Sequence, residues 1–349
     1  MNWLLAAVPI AAALEHLAPE AHAWIFLAAA LAIVPLAAAM SDATERLADR
    51  TGPTAGGLLN ATFGNAPELI ITLVALRDGL HEVVKAAIAG SVIGNLLLVL
   101  GGAALAGGLR HHTQRYNAAA ARSQVTLLVL AVIAMLVPAL YQGLIPQAAS
   151  RLGALSLGIA GVLIATYACG LLFTLVTHRE VFAAGPAAAA GAEQGGGLGP
   201  PMLKLGLATL GTAWMSDVLV GSLEQAAAAL SLGTAFVTVF AVAAVGNAAA
   251  LLTAVRAARA DRLDLALSIA TGGASQVALL VAPVAVLASQ VLGPAPLDLA
   301  FRPGLVLAVM LSVLICVQVG ADGQSDWLKG VQLLAVYVIL GLAFFFSAA

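Results

Sequence analysis

Gly64-Asn65-Ala66-Pro67-Glu68 sets a carboxylate in the middle of a long apolar run, and Gly246-Asn247-Ala248-Ala249-Ala250 repeats the motif with alanine in the carboxylate's place. An ionisable group at membrane depth marks a functional site by default, because an unpaired charge there is expensive. The uneven pair raises a question of chemistry: what can a site bind when only one of its two halves carries a charge?

The surroundings of both motifs are those of a membrane protein. The chain of 349 residues is 62% hydrophobic and 9% charged, with a mean hydropathy of +1.02, which excludes an ordinary soluble domain. A hydrocarbon core takes roughly 20 apolar residues per helical crossing. Such runs lie near 24–40, 52–76, 86–108, 123–142 and 153–177, and again near 203–223, 232–255, 263–290, 304–320 and 328–348. The stretch Trp3 to Leu14 is short for a span, and with no Lys or Arg before it we read it as an eleventh, peripheral helix rather than a signal peptide. Whether residues 1–17 cross the membrane stays open.

Sliding the chain on itself by 182 residues aligns Gly64, Asn65, Ala66, Leu69, Ala75, Arg77 and Gly90 with Gly246, Asn247, Ala248, Leu251, Ala257, Arg259 and Gly272. Five helices per copy force the second copy to enter from the opposite side. The expected fold is therefore an all-α polytopic membrane protein of two inverted five-helix repeats, ten core transmembrane helices in all, plus the peripheral helix. Its parts are 1–23 (peripheral helix), 24–178 (first repeat), 179–203 (an Ala/Gly/Pro linker) and 204–349 (second repeat). Inverted repeats with glycine-interrupted helices at matching positions point to an alternating-access transporter with its site near the midplane.

Charge placement orients the chain. Arg46, Arg50, Arg110, Arg115, Arg122, Arg179, Lys204, Arg256, Arg259, Arg262 and Lys329 fall on one side, and Arg77, Lys85, Arg151 and Arg302 on the other. The richer side is cytoplasmic by the positive-inside rule, which puts linker 179–203 there. High Ala and Gly content suits a bacterium of high genomic G+C, hence a bacterial inner membrane. A net charge of -2 gives no basic face for nucleic acid. No P-loop or His-Glu-x-x-His motif supports ATP-driven pumping or hydrolysis. Cys169 and Cys316 are expected to be small core hydrophobes, and His111-His112 a solvated basic loop.

At the first motif, Gly64 permits a helix break, and Pro67 suits the first turn of a new segment that holds Glu68. The helix dipole there favours the anion while burial favours the protonated acid, so Glu68 can trade a proton for a cation. Asn65, Ser91 and Asn95 from the first repeat, and Asn247, Ser275 and Gln276 from the second, offer further oxygens. A donor set without thiolate or imidazole suits a hard cation such as Ca²⁺, Mn²⁺ or Na⁺.

At these residues the chain closely resembles the calcium/proton antiporters of the cation exchanger superfamily, the CAX family. The resemblance runs through Ala43-Thr44-Glu45-Arg46-Leu47-Ala48, Gly56-Gly57-Leu58-Leu59-Asn60-Ala61-Thr62-Phe63-Gly64-Asn65-Ala66 and Gly90-Ser91-Val92-Ile93-Gly94-Asn95. It continues at Thr177-His178-Arg179-Glu180-Val181-Phe182, Ser216-Asp217, Gln276-Val277-Ala278-Leu279 and Asp322-Gly323-Gln324-Ser325-Asp326-Trp327-Leu328. It implies export of Ca²⁺ from the cytoplasm in exchange for H⁺, with no resident cofactor. It also implies a cation site of Glu68, Asn65, Asn247, Gln276 and Ser91, to which the spacing above adds Asn95, with Glu45 and Asp217 as carboxylates of the access paths. The expected partners are an inorganic cation, the proton and the lipid bilayer; a homo-oligomer stays open.

The departure from the family lies at Ala250 and Leu251, where its pattern has Glu and His. Two carboxylates neutralise a bound Ca²⁺, whereas one leaves a net charge that costs at least about 2.5–3.5 kcal/mol on insertion scales, or roughly two orders of magnitude in affinity. Three readings follow: weakened or restoichiometrised Ca²⁺/H⁺ exchange, exchange of a monovalent cation, or binding without turnover. In the family the linker also tends to be acidic; here only Glu180 and Glu193 are.

Overall fold

A computed structural model describes residues 2–145, 149–178, 198–320 and 322–347. Most of linker 179–203 therefore lies outside the described residues, with Arg179, Glu180 and Glu193.

The helices are α1 (Ala7–Leu17), α2 (His22–Thr51), α3 (Pro53–Phe63), α4 (Ala66–Arg77), α5 (His81–His111), α6 (Ala118–Leu144) and α7 (Ala149–Leu172). After the linker come α8 (Gly199–Ala229), α9 (Thr234–Gly246), α10 (Ala248–Arg259), α11 (Leu263–Ala288), α12 (Pro303–Val319) and α13 (Trp327–Phe346). Seven of them are long and apolar enough to cross a membrane unaided, and α9 with α10 makes a further span bent by 55°. The pair α3 and α4, broken at the matching place, and the 17-residue α12 complete ten core crossings. The second half begins at Gly199, slightly before the expected 204.

The repeat register holds closely. α4 and α10 correspond end to end at the 182-residue offset, and α5 and α11 begin at equivalent residues, His81 and Leu263. Both α5 and α11 carry a wide π turn near their midpoints, at Gly94–Val99 and Val277–Val281. Such turns cluster at functional sites because they re-aim side chains within a helix. The tight turn after α4 uses Gly79 at φ +76°, and its counterpart Asp261 takes φ +59°.

Lipid supplies no hydrophobic force between helices, so their contact relies on close approach at small residues. Gly101 and Gly108 do this, lying against α13 near Leu333 and Trp327. Ion pairs tie the ends together. Arg77 meets Asp217 at 2.5 Å, buried Lys85 meets Asp298 at 2.8 Å, and Arg302 meets Glu82 at 2.5 Å on the face opposite the linker. Lys204 pairs with Asp42 on the linker face.

Two expectations need correction, and the helical fold carries one small addition. A two-stranded antiparallel pair, β1 (Thr113–Arg115) with β2 (Gln324–Asp326), interrupts the all-α pattern. It clamps the linker-face end of α10, since Gln114 Nε2 donates to Ala258 O and Asp261 Oδ1, both at 2.8 Å. His111 belongs to this clamp, its Nε2 lying 3.0 Å from Arg259 O, rather than to a loose loop. Finally, Cys316 is buried as expected, but Cys169 is exposed, because α7 is peripheral and presents that side outward.

Candidate ion site

The chain breaks where the sequence indicates. α3 ends at Phe63, Asn65 leaves helical geometry at φ -118° and ψ 30°, and α4 restarts with Pro67 in its first turn beside Glu68. Proline fits there because the first N–H groups of a helix have no internal partner to lose. Glu68 points into a cavity of about 10 Å³, lined also by Ile71, Thr72, Ile88, Ser91 and Val242. Its Oε2 is buried without a hydrogen-bond partner. Its carboxylate lies against the second break: a Cβ on Gly246 would stand 3.4 Å from Oε1.

The two asparagines do the same job in the two halves. Asn65 Nδ2 faces Gly273 O at 3.4 Å, and Asn247 Nδ2 faces Ser91 O at 3.3 Å. These bonds are exchanged by the 182-residue offset, which relates 65 to 247 and 91 to 273. Each asparagine thus staples its own break to the π-turned helix of the other repeat. The second bond of each differs: Asn65 Nδ2 donates to Gln276 Oε1 at 2.5 Å, whereas Asn247 Oδ1 accepts from Asn95 Nδ2 at 2.8 Å. Asn95 Nδ2 also reaches Ser91 O, and its Oδ1 sits over Gly273 without a partner. The six expected site residues are therefore brought together; Ser91 Oγ and, beyond the six, Ser275 Oγ are buried oxygens without partners.

Glu45 and Asp217 are elsewhere. Both are exposed, Glu45 toward the linker-face end of α2 and Asp217 held by Arg77 on the opposite face. Sequence reasoning passed over Thr72, although its i+4 spacing from Glu68 on one helical face was a usable signal.

The two sides of the site are unequally closed. On the face opposite the linker α9 crosses α5 so tightly that a Cβ on Gly90 would stand 2.5 Å from Val239 O. The repeat equivalent of that contact would join Gly272 of α11 to Gly57 of α3, yet nothing lies within 4 Å of a Cβ on Gly272. Asn60 and Gly64 are exposed on the same side. Among the described residues this contact is thus closed on one side of the site and open on the linker side.

Fold and site together define a secondary transporter built from inverted repeats. The family model for sodium/calcium exchanger protein matches residues 21–176 and, again, 201–346, and the chain belongs to that family. It is 45% identical over 338 residues to the Ca(2+)/H(+) antiporter of Aphanothece halophytica, covering 92% of this chain and 90% of the relative. With the Ca(2+)/H(+) antiporter ChaA of Bacillus subtilis the identity is 39%, over 92% of both chains. The solved structure of the Ca2+/H+ antiporter protein YfkE superposes with a TM-score of 0.84 at 34% identity, covering 98% of each chain.

Proposed function

We propose that this protein exchanges Ca²⁺ for H⁺ by alternating access, exporting Ca²⁺ from the cytoplasm as protons enter. The observation that carries the reading is Glu68, at the start of a broken helix between the two repeats, with an unpartnered carboxylate oxygen and the paired amides of Asn65 and Asn247 around it. The names of the relatives and of the superposing structure support the choice of ions. Positive-inside bias makes the linker face cytoplasmic, so the open side is the side from which Ca²⁺ would be collected. The setting is a bacterial inner membrane.

Glu68 binds either a proton or the cation. The protonated site is neutral; the Ca²⁺-loaded site keeps one positive charge, because Ala250 brings no second carboxylate and Glu45 and Asp217 are remote. Oxygens of Asn65, Asn95, Asn247, Gln276 and Ser91 supply dipoles but no charge. The reading is therefore of a weakened or restoichiometrised exchanger. The same alanine favours a second reading, exchange of a monovalent cation such as Na⁺, which one carboxylate balances in full. Proton-gradient-driven uptake of ⁴⁵Ca²⁺ into inverted vesicles, with Na⁺ and Mn²⁺ as competitors, separates them. Uptake insensitive to Na⁺ supports Ca²⁺; Na⁺-driven proton movement without ⁴⁵Ca²⁺ uptake overturns it.

A further inference from the structure

The small cavity beside Glu68 lies on the closed side, one helical turn beyond the carboxylate. Thr72 and Ser91, each 2% exposed, are its two hydroxyl-bearing residues. Membrane threonines usually satisfy their hydroxyl by bonding back to the carbonyl four residues earlier, as Thr62, Thr209, Thr238 and Thr271 do here. Thr72 makes no such bond, nor any other side-chain hydrogen bond among the described residues, and Ser91 Oγ is equally unpartnered. Ser91 Oγ and Glu68 Oε2, both buried without partners, together with the Thr72 hydroxyl on the lining of a cavity of about 10 Å³, meet the requirements of one water, which takes two to four polar partners and about that volume.

We propose that Thr72 and Ser91 hold a single water against Glu68, and that this water passes protons between Glu68 and the face opposite the linker. A proton arriving from that side joins the water, which releases one of its own to the carboxylate; the water is left unchanged and Glu68 becomes neutral. The repeat equivalent of Thr72 is Ala254, fully buried, so the arrangement belongs to one side only. Among the described residues no other ionisable group lines the cavity. On the elements around it, Arg77 is taken up by Asp78 and Asp217, Lys85 and Glu82 by Asp298 and Arg302, and Asp264 by Asn117 N, while His81 at the start of α5 has its Nε2 buried without a partner. α9 has no charged residue, and Glu45, Glu224, Arg256 and Arg259 sit toward helix ends.

The inference rests on Glu68 being the coupling carboxylate, so its test reads the water site apart from transport. Thr72→Val keeps the branched shape and removes the hydroxyl; Thr72→Ser keeps the hydroxyl. In infrared spectra of the full chain in lipid, the carboxyl C=O band that vanishes in Glu68→Gln reports Glu68. We expect Thr72→Val to move that band to higher wavenumber as a hydrogen-bond partner is lost, and Thr72→Ser to restore it. An unmoved band overturns the proposal whether or not the chain transports. In vesicles, Thr72→Val should lower maximal proton-driven uptake by roughly tenfold while half-saturating Ca²⁺ stays within about twofold. A rise in half-saturating Ca²⁺ as large as the fall in rate would make Thr72 a cation ligand and sink the relay. Absence of uptake from the unaltered chain counts against Ca²⁺ exchange alone, and the infrared result then decides the water site.

Discussion

The helix break at 64–68 and the break at 246–250 share backbone, register and stapling asparagine, yet only the first holds a charge. At the first, Glu68 occupies the opening turn of α4 and leans on Gly246. At the second, Ala250 occupies the opening turn of α10, and the neighbour of Gly64 is the amide oxygen of Gln276, 3.2 Å from where a Cβ would stand. Scaffold and charge are thus separable: asparagine-to-carbonyl bonds hold both breaks in place, and the carboxylate is an addition that one half does without.

The largest effect expected follows directly. Glu68→Gln leaves both staples intact and removes the sole charge, so proton-coupled cation uptake should fall roughly 100-fold or more in vesicles. Residual uptake close to that of the unaltered chain would mean that Glu45 or Asp217 carries the coupling and that the first break is as passive as the second.

The reverse substitution makes the two breaks alike. By the pseudo-twofold, Ala250→Glu places a carboxylate against Gly64 as Glu68 lies against Gly246. Neutralising the second charge of Ca²⁺ at the midplane should lower half-saturating Ca²⁺ by roughly two orders of magnitude, from a cost of about 2.5–3.5 kcal/mol per uncompensated charge. The measurement is ⁴⁵Ca²⁺ uptake across a concentration series, with Na⁺ competition expected to weaken. An unchanged half-saturation point would show that the amide oxygens, not the count of carboxylates, set affinity.

Much of this was legible beforehand, for physical reasons that can be named. Gly64 and Pro67 are strong local punctuation, and a fixed offset between Gly-Asn-Ala motifs reports a repeat whatever the tertiary context. The inverted arrangement then followed from counting helices. Partnership across the repeats was not legible: that Asn95 would bond Asn247 while Gln276 bonded Asn65 depends on π turns at 94–99 and 277–281, which rotate those side chains and leave no mark in composition. Thr72 lies one turn from Glu68, a spacing the sequence does show, but the cavity it lines leaves no mark in composition. The β1–β2 clamp was hidden for a similar reason, since three-residue strands from segments about 210 residues apart have no periodicity to detect.

Unequal closure gives the third comparison, at Gly90 and Gly272. Gly90→Ala drives a methyl into the backbone of α9 at Val239, which should destabilise the protein by about 1–3 kcal/mol in detergent unfolding. Gly272→Ala meets open space and should unfold like the unaltered chain. If alternating access closes α3 onto α11 as α9 is closed onto α5, however, the same methyl obstructs the closed linker side and slows turnover several-fold, of the order expected for an overpacked contact. Equal unfolding of both variants would break the argument that one face is shut and the other open.

The smallest effect concerns the ion pairs bracing α8 on its two sides, Arg77 with Asp217 and Lys204 with Asp42. All four side chains are between 40% and 53% exposed, so screening by water and salt leaves each pair about 0.2–1 kcal/mol at most. Arg77→Gln and Lys204→Gln should therefore unfold within about 1 kcal/mol of the unaltered chain. Their effects on transport should differ, because Arg77 ends the helix whose first turn holds Glu68 and ties it to α8, whereas Lys204 joins α8 to α2. Arg77→Gln should change the uptake rate at low ionic strength and converge with the unaltered chain as salt is raised, while Lys204→Gln stays close to it throughout. A salt-insensitive change in Arg77→Gln would assign that residue a role in packing α4 rather than a screened electrostatic brace.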